Sequence, residues 1–274
     1  MLNLQYKANR IGIFDSGVGG LSVLREVVAL LPRERVCYVA DAAHCPYGSR
    51  PADEVLRLSL RMVRFLLDKD CKLIVVACNT ATAAAINALR KTFPDVPFVG
   101  MEPAVKPAAA QSKTCRVGIL ATAGTLQSRL FNQTKARYAA GVKLHVVAGN
   151  GLVELVELGR EDSPEALELL RTYLQPMLDG NVDELVLGCT HYPFLQSSIE
   201  KIAQGRMSII NPAPAVAVQV KRMLEHSNLL NDEPTSQPFY EFFSTGNVEA
   251  LMQLQKKHLP LPTERRSFQA LTSL

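Results

Sequence analysis

Two cysteines carry the strongest chemical signal in the chain. Cys78 ends the apolar run Leu73-Ile-Val-Val-Ala77, and Asn79 and Thr80 follow it ahead of an alanine-rich stretch. The apolar run, rich in β-branched residues, reads as a buried parallel strand. Asn and Thr are capping residues, and alanine is the best helix former. Cys78 therefore belongs at a strand-to-helix turn, where a thiol faces the positive end of a helix and thiolate is favoured. The arrangement recurs: Glu184-Leu-Val-Leu-Gly188 leads into Cys189, and Thr190 stands next as a cap. In open α/β sheets, ligands bind at the carboxyl ends of strands. Two thiols at matched turns predict a ligand that meets one thiol on each face.

The elements that must position these thiols also come in pairs. Ile11-Gly-Ile-Phe-Asp-Ser-Gly-Val-Gly-Gly20 precedes Cys78, and Val117-Gly-Ile-Leu-Ala-Thr-Ala-Gly-Thr125 precedes Cys189 by a similar length of chain. Strands are expected at 11–14, 36–40, 73–78 and 97–100, with helices at 21–31, from Pro51 to about Asp68, and after Cys78. A second unit begins near Met101-Glu-Pro103, with strands at 117–120, 142–147, 185–188 and 207–210. Its helices include 151–158 and 164–178. A further helix at 212–224, a strand at 239–243 and a helix at 247–256 complete the pattern, around a turn-rich stretch at 226–237. The tail with Arg265 and Arg266 is uninformative. Alternating strands and helices imply parallel sheets covered on both faces. The expected architecture is two similar three-layer α/β domains with mainly parallel sheets, related by a pseudo-twofold, with the site in the cleft between them. The first domain is assigned residues 1–101 plus 212–274 and the second 102–211, because two chain crossings at one cleft make a hinge.

The 274 residues suffice for two small domains, and 47% hydrophobic with 20% charged residues is ordinary globular composition. The net charge of +4 mixes 30 basic with 26 acidic residues, which argues against a nucleic-acid footprint. Six cysteines lack paired zinc-like spacing, and Met1–Arg10 shows no apolar signal core. Reduced thiols and a cytoplasmic location are expected, with no membrane association, since no apolar run is long enough to span a bilayer.

The loop Asp15-Ser-Gly-Val-Gly-Gly20 fits neither glycine fingerprint. Ser22 stands where a dinucleotide loop needs its third glycine, and Val18 where a P-loop needs lysine. A tight turn packed on its helix competes with a small anion held by loop amides. A zinc site from Cys78, Cys189, His191 and His44 is conceivable but matches no standard spacing. A redox pair lacks Cys-x-x-Cys. Asp15 and His191 are the acid–base candidates that sequence places near a thiol. Glu157, on an amphipathic helix, is a third candidate.

Six ordered motifs give the chain a resemblance to the glutamate racemases of the cofactor-independent aspartate/glutamate racemase superfamily. They are Asp15-Ser-Gly17, Pro46-Tyr-Gly48, Cys78-Asn-Thr80, Glu102-Pro103, Thr122-x-x-Thr125 and Gly188-Cys-Thr-His191. The resemblance covers about residues 11 to 225. It implies Cys78 and Cys189 as catalytic thiols, with Asp15, His191 and Glu157 as their acid–base partners. Glu157 follows from helix register, because Ala148-Gly-Asn150 stands where members often carry Ala-Cys-Pro. The resemblance also implies substrate contacts from Asp15, Ser16, Pro46, Tyr47, Gly48, Asn79, Thr80, Thr122, Thr125, Thr190 and His191. It implies no cofactor and no metal, a homodimer, and a role supplying D-glutamate for cell-wall peptidoglycan. Two bases on opposite faces suit inversion at Cα, and thiols suit it because their pKa is tunable. A racemase for aspartate or a hydantoin is the near alternative. A non-catalytic two-domain dicarboxylate-binding protein is the alternative of a different class.

Overall fold

The structure is a computed structural model that describes residues 7–233 and 237–271. The first six and last three residues of the expected first domain, and part of the turn-rich stretch at 226–237, lie outside the described residues.

Ten strands form two wholly parallel sheets among the described residues. In chain order, β1 (Arg10–Asp15), α1 (Leu21–Leu30), β2 (Val36–Ala40), α2 (Ala52–Asp68), β3 (Cys71–Val76), α3 (Asn79–Thr92) and β4 (Phe98–Gly100) come first. Next are α4 (Val105–Gln111), β5 (Arg116–Ala121), α5 (Ala123–Gln127), α6 (Arg129–Tyr138), β6 (Lys143–Ala148), α7 (Leu152–Glu157), α8 (Pro164–Asp179) and β7 (Glu184–Gly188). Last are α9 (Gln196–Ala203), β8 (Ser208–Ile210), α10 (Ala213–His226), β9 (Tyr240–Ser244), α11 (Val248–His258) and β10 (Arg266–Ala270). The first sheet has the order β10-β9-β2-β1-β3-β4 and the second β6-β5-β7-β8.

The central strands β1, β2, β3, β5 and β7 are buried almost end to end. That matches their unbroken apolar runs, because helices cover both faces of a parallel sheet. The edge strands β6 and β10 are only partly buried. This explains why Arg266–Ala270, a largely polar segment, carried no strand signal. The chain returns to the first sheet through β9, which pairs with β2. There Thr245, just past β9, donates a 2.7 Å hydrogen bond to Asp41, so the C-terminal segment braces the loop after β2. The same Asp41 accepts the Tyr47 hydroxyl at 2.6 Å and pairs with His44 Nδ1 at 2.8 Å.

The core is continuous across the two sheets. Ile11, Ile13, Leu73 and Val75 of the first belong to one buried cluster with Leu120, Leu185, Leu187 and Tyr192 of the second.

Candidate active site

Each thiol sits where its sheet changes direction of winding. β1 has β2 on one side and β3 on the other, and Asp15 and Cys78 leave the adjacent ends of β1 and β3. β5 likewise lies between β6 and β7, and Thr122 and Cys189 leave the adjacent ends of β5 and β7. Such switch points are the ligand crevices of open α/β sheets.

One cavity joins the two crevices. Ser16, Pro46, Tyr47, Gly48, Cys78, Asn79 and Thr80 line it from one half, and Thr122, Cys189, Thr190 and His191 from the other. Val153 also lines it; its place in an apolar helix face gave no sequence signal. The remaining expected residues stand behind the lining. Asp15 is wholly buried, Glu157 lies behind His191 at 2.6 Å, and Thr125 hydrogen-bonds Thr80 and Thr122 at 3.3 and 3.0 Å. Thr80 and Thr122 are 2.9 Å apart, a bridge between the halves. The cavity between the thiols is small, with room for about one water.

Asn79 presents both side-chain polar atoms buried and without a hydrogen-bond partner among the described residues. Such atoms cost about 1–3 kcal/mol each unless a ligand satisfies them. They mark the cavity as built for a polar guest.

The surroundings of Cys78 reverse two sequence expectations. The helix cap is Cys78 itself, not Asn79 or Thr80: Asn79 is already helical, and the Ala81 N–H donates to Cys78 Sγ at 3.4 Å. The helix amide favours thiolate, yet burial and the negative charge of Asp15 outweigh it and push the Cys78 thiol well above its usual range. Ser16 Oγ lies 3.8 Å from Cys78 Sγ and 3.4 Å from Asp15 Oδ1. These three groups form a chain from thiol through hydroxyl to carboxylate. Burial raises the Asp15 carboxyl as well, against the opposing pull of His191. Asp15 Oδ2 accepts the Gly20 N–H at 2.7 Å and the Thr190 hydroxyl at 3.3 Å.

Cys189 has a different setting. The segment after it winds into a short 3-10 turn, Tyr192–Leu195, rather than a long α-helix, so the matched turns are alike up to the thiol and unlike beyond it. His191 Nδ1 lies 3.7 Å from Cys189 Sγ, and His191 Nε2 lies 2.6 Å from Glu157 Oε1. Burial opposes the charged imidazole, but the hydrogen bonds to Cys189, Cys45 and Glu157 prevail and raise His191 well above its ordinary pKa. Burial likewise disfavours the Glu157 carboxylate, and His191 and the Val18 N–H overcome it, holding it below its ordinary value.

The glycine loop binds anions, but they belong to the protein. Its Gly20 amide holds Asp15 and its Val18 amide holds Glu157, each at 2.7 Å. The glycines serve close approach. A Cβ on Gly17 would lie 1.9 Å from Glu157 Oε1, and one on Gly19 would lie 2.3 Å from His191 Nδ1.

The four-residue zinc alternative is not assembled, for His44 is engaged by Asp41. Among the described residues, the group with metal-ligand geometry is Cys45, Glu157 and His191. Cys45 was not among the expected site residues. Its position beside Pro46-Tyr-Gly48 was the available signal.

The fold and the paired thiols define a two-sheet α/β protein with a site at its crevice, and comparison with known proteins gives it a family. The Asp/Glu/Hydantoin racemase family matches residues 11–220, and the chain belongs to that family. The glutamate racemase of Roseiflexus sp. (strain RS-1) is 45% identical over 258 residues, 94% of each chain. The crystal structure of a glutamate racemase isoform from Bacillus anthracis superposes with a TM-score of 0.86 at 34% identity, covering 97% of this chain and 98% of that one. Escherichia coli glutamate racemase, solved with L-glutamate and the activator UDP-MurNAc-ala, gives a TM-score of 0.83 at 30% identity, covering 97% of this chain and all of that one.

Proposed function

We propose that this chain interconverts L- and D-glutamate by proton transfer at Cα, with Cys78 and Cys189 as the two bases. The observation that carries the reading is the pair of thiols converging on one cavity from opposite switch points, in a chain whose relatives are glutamate racemases.

The two settings support different resting roles. Cys78, buried beside Asp15, holds its proton. Cys189 faces a charged His191 whose Nδ1 hydrogen suits a thiolate acceptor. With substrate bound so that Cα–H points at Cys189, the thiolate takes that proton and the electron pair stays on Cα. The Cys78 thiol then delivers its own proton to the other face. The enzyme is left with a Cys189 thiol and a Cys78 thiolate, the state competent for the reverse direction. Ser16 and Asp15 on one side, and His191 and Glu157 on the other, reset the protons. The unpartnered Asn79 amide and the amino end of α3 line the cavity, and N–H donors there stabilise the charge that develops as Cα loses its proton.

The transfers use protein groups alone. We assign residues 7–101 and 212–271 to one domain and 102–211 to the other, and we infer a homodimer in the cytoplasm that supplies D-glutamate to peptidoglycan synthesis. No described helix is long and apolar enough to cross a membrane. Following optical rotation with L- and D-glutamate, aspartate and a hydantoin, without added cofactor, tests the reading. Glutamate is expected to lose its rotation from either enantiomer; unchanged rotation of glutamate, or turnover only of aspartate or the hydantoin, overturns it.

A further inference from the structure

We propose that Cys45, Glu157 and His191 form a binding site for a thiophilic divalent cation, with Zn²⁺ the best match, whose occupancy shuts down the Cys189 side of the reaction. The three ligand atoms lie within 4.8 Å of one another. One sulfur, one imidazole nitrogen and one carboxylate oxygen are a donor set that suits zinc, leaving a fourth position open.

The fit follows from distances. With bonds of about 2.0 Å to nitrogen and oxygen, tetrahedral ligands sit ~3.3 Å apart. His191 Nε2 and Glu157 Oε1 are 2.6 Å apart, so a modest rotation of the carboxylate admits the ion. A thiolate and a carboxylate together balance a divalent charge, so the filled site buries no net charge. Room exists because residue 17 is glycine: any Cβ there would fall 1.9 Å from Glu157 Oε1 and 3.0 Å from Cys45 Sγ. There is also a way in. Cys45 is only half-buried and the Glu157 side chain is 20% exposed, against 2% for His191.

The consequence for catalysis rests on the racemase reading. A cation on Nε2 displaces the proton that His191 shares with Glu157 and leaves Nδ1–H facing Cys189, but a ring held by the metal no longer relays protons between Glu157 and Cys189. Binding itself is independent of that reading. A thiol must shed its proton to ligate, so uptake releases protons and tightens as pH rises.

The test uses Co²⁺ as a coloured probe and Zn²⁺ as inhibitor on the full chain. Wild-type protein is expected to take up one Co²⁺ with a thiolate-to-cobalt charge-transfer band and a release of protons, both read without substrate. The band should persist in Cys78→Ala and vanish in Cys45→Ala. Cys45→Ser, a near-isosteric change, guards against loss of fold and should lose the band too. Zn²⁺ should inhibit glutamate racemisation by wild type at least about tenfold more tightly than by Cys45→Ala, a factor typical of weakening a metal site. A band undiminished in both Cys45 variants overturns the proposal, as does failure of folded wild-type protein to take up a stoichiometric ion. Stoichiometric binding that leaves racemisation unchanged overturns the inhibitory half alone.

Discussion

The Cys78 crevice and the Cys189 crevice share a strand topology but differ in electrostatics. Around Cys78 the partners are a serine, a buried carboxyl and a helix amide. Around Cys189 they are an imidazole and the carboxylate that holds it charged. A reaction that takes a proton on one face and gives one on the other needs unlike protonation states at any instant. A pseudo-symmetric scaffold supplies equivalent positions, and the unlike partners break the equivalence. The same loop links them, since residues 15–20 cradle Asp15 with one amide and Glu157 with another.

The largest test of this asymmetry removes either thiol. Cys78→Ala and Cys189→Ala should each lower interconversion by about a thousandfold or more, within the range for lost general acid–base groups, while circular dichroism stays native. Near-normal turnover by either variant, free of wild-type contamination, would break the two-thiol account.

Glu157→Gln should have the next largest effect, about ten- to a hundredfold on kcat, by releasing His191 from its charged state. In the wild type, the raised His191 contributes stability that is full below the ordinary histidine pKa and fades as pH climbs through the folded value. The depressed Glu157 contributes above the ordinary carboxylate range and is lost as pH falls through its folded value. Glu157→Gln should flatten both limbs, and NMR should find His191 titrating lower than in wild type. An unmoved His191 titration would contradict the pairing.

Gly17→Ala should displace Glu157 without touching the Ser16–Cys78 contact. A fall in kcat of about tenfold is expected, with the Cys189 side alone affected. Activity equal to wild type would show that Glu157 needs no such cradle.

The smallest expected effect is on stability. Asp15 has a raised folded pKa from burial, so the native state holds its proton more tightly than the unfolded chain. Wild-type stability therefore declines as pH rises from the ordinary aspartate value of ~3.9 to the folded value, and is level above it. Asp15→Asn escapes that decline. Its melting temperature relative to wild type should be higher at pH 8 than at pH 4, even as activity drops; a difference independent of pH would refute the burial argument.

Much of this was legible in the chain. Uninterrupted apolar runs such as Leu73–Val76 and Leu185–Leu187 read as central parallel strands, and the cysteines that end them inherit the crevice. What escaped depends on neighbours distant in sequence. The helix amides at Cys78 argued for a lowered pKa, and only the fold reveals the burial and the Asp15 charge that reverse it. Arg266–Ala270 hides its strand character because an edge strand keeps polar residues. Helices α4 and α9 went unmarked, each short and without a strong cap. The glycine loop left a tight turn and an anion site both open, and that its amides hold Asp15 and Glu157 required seeing Glu157 arrive from the other half. Cys45 was hidden for the same reason.

The central claim, two thiols on opposite faces, is tested most directly by the fate of the proton. In heavy water the delivering thiol carries deuterium before turnover begins. Early product should therefore carry deuterium at Cα whichever enantiomer is supplied, while remaining substrate stays largely protiated. Early-time NMR or mass analysis of both enantiomers, run in both directions, reads this. Substantial retention of the original proton in the product would contradict the account, because a single base swinging between faces carries that proton across.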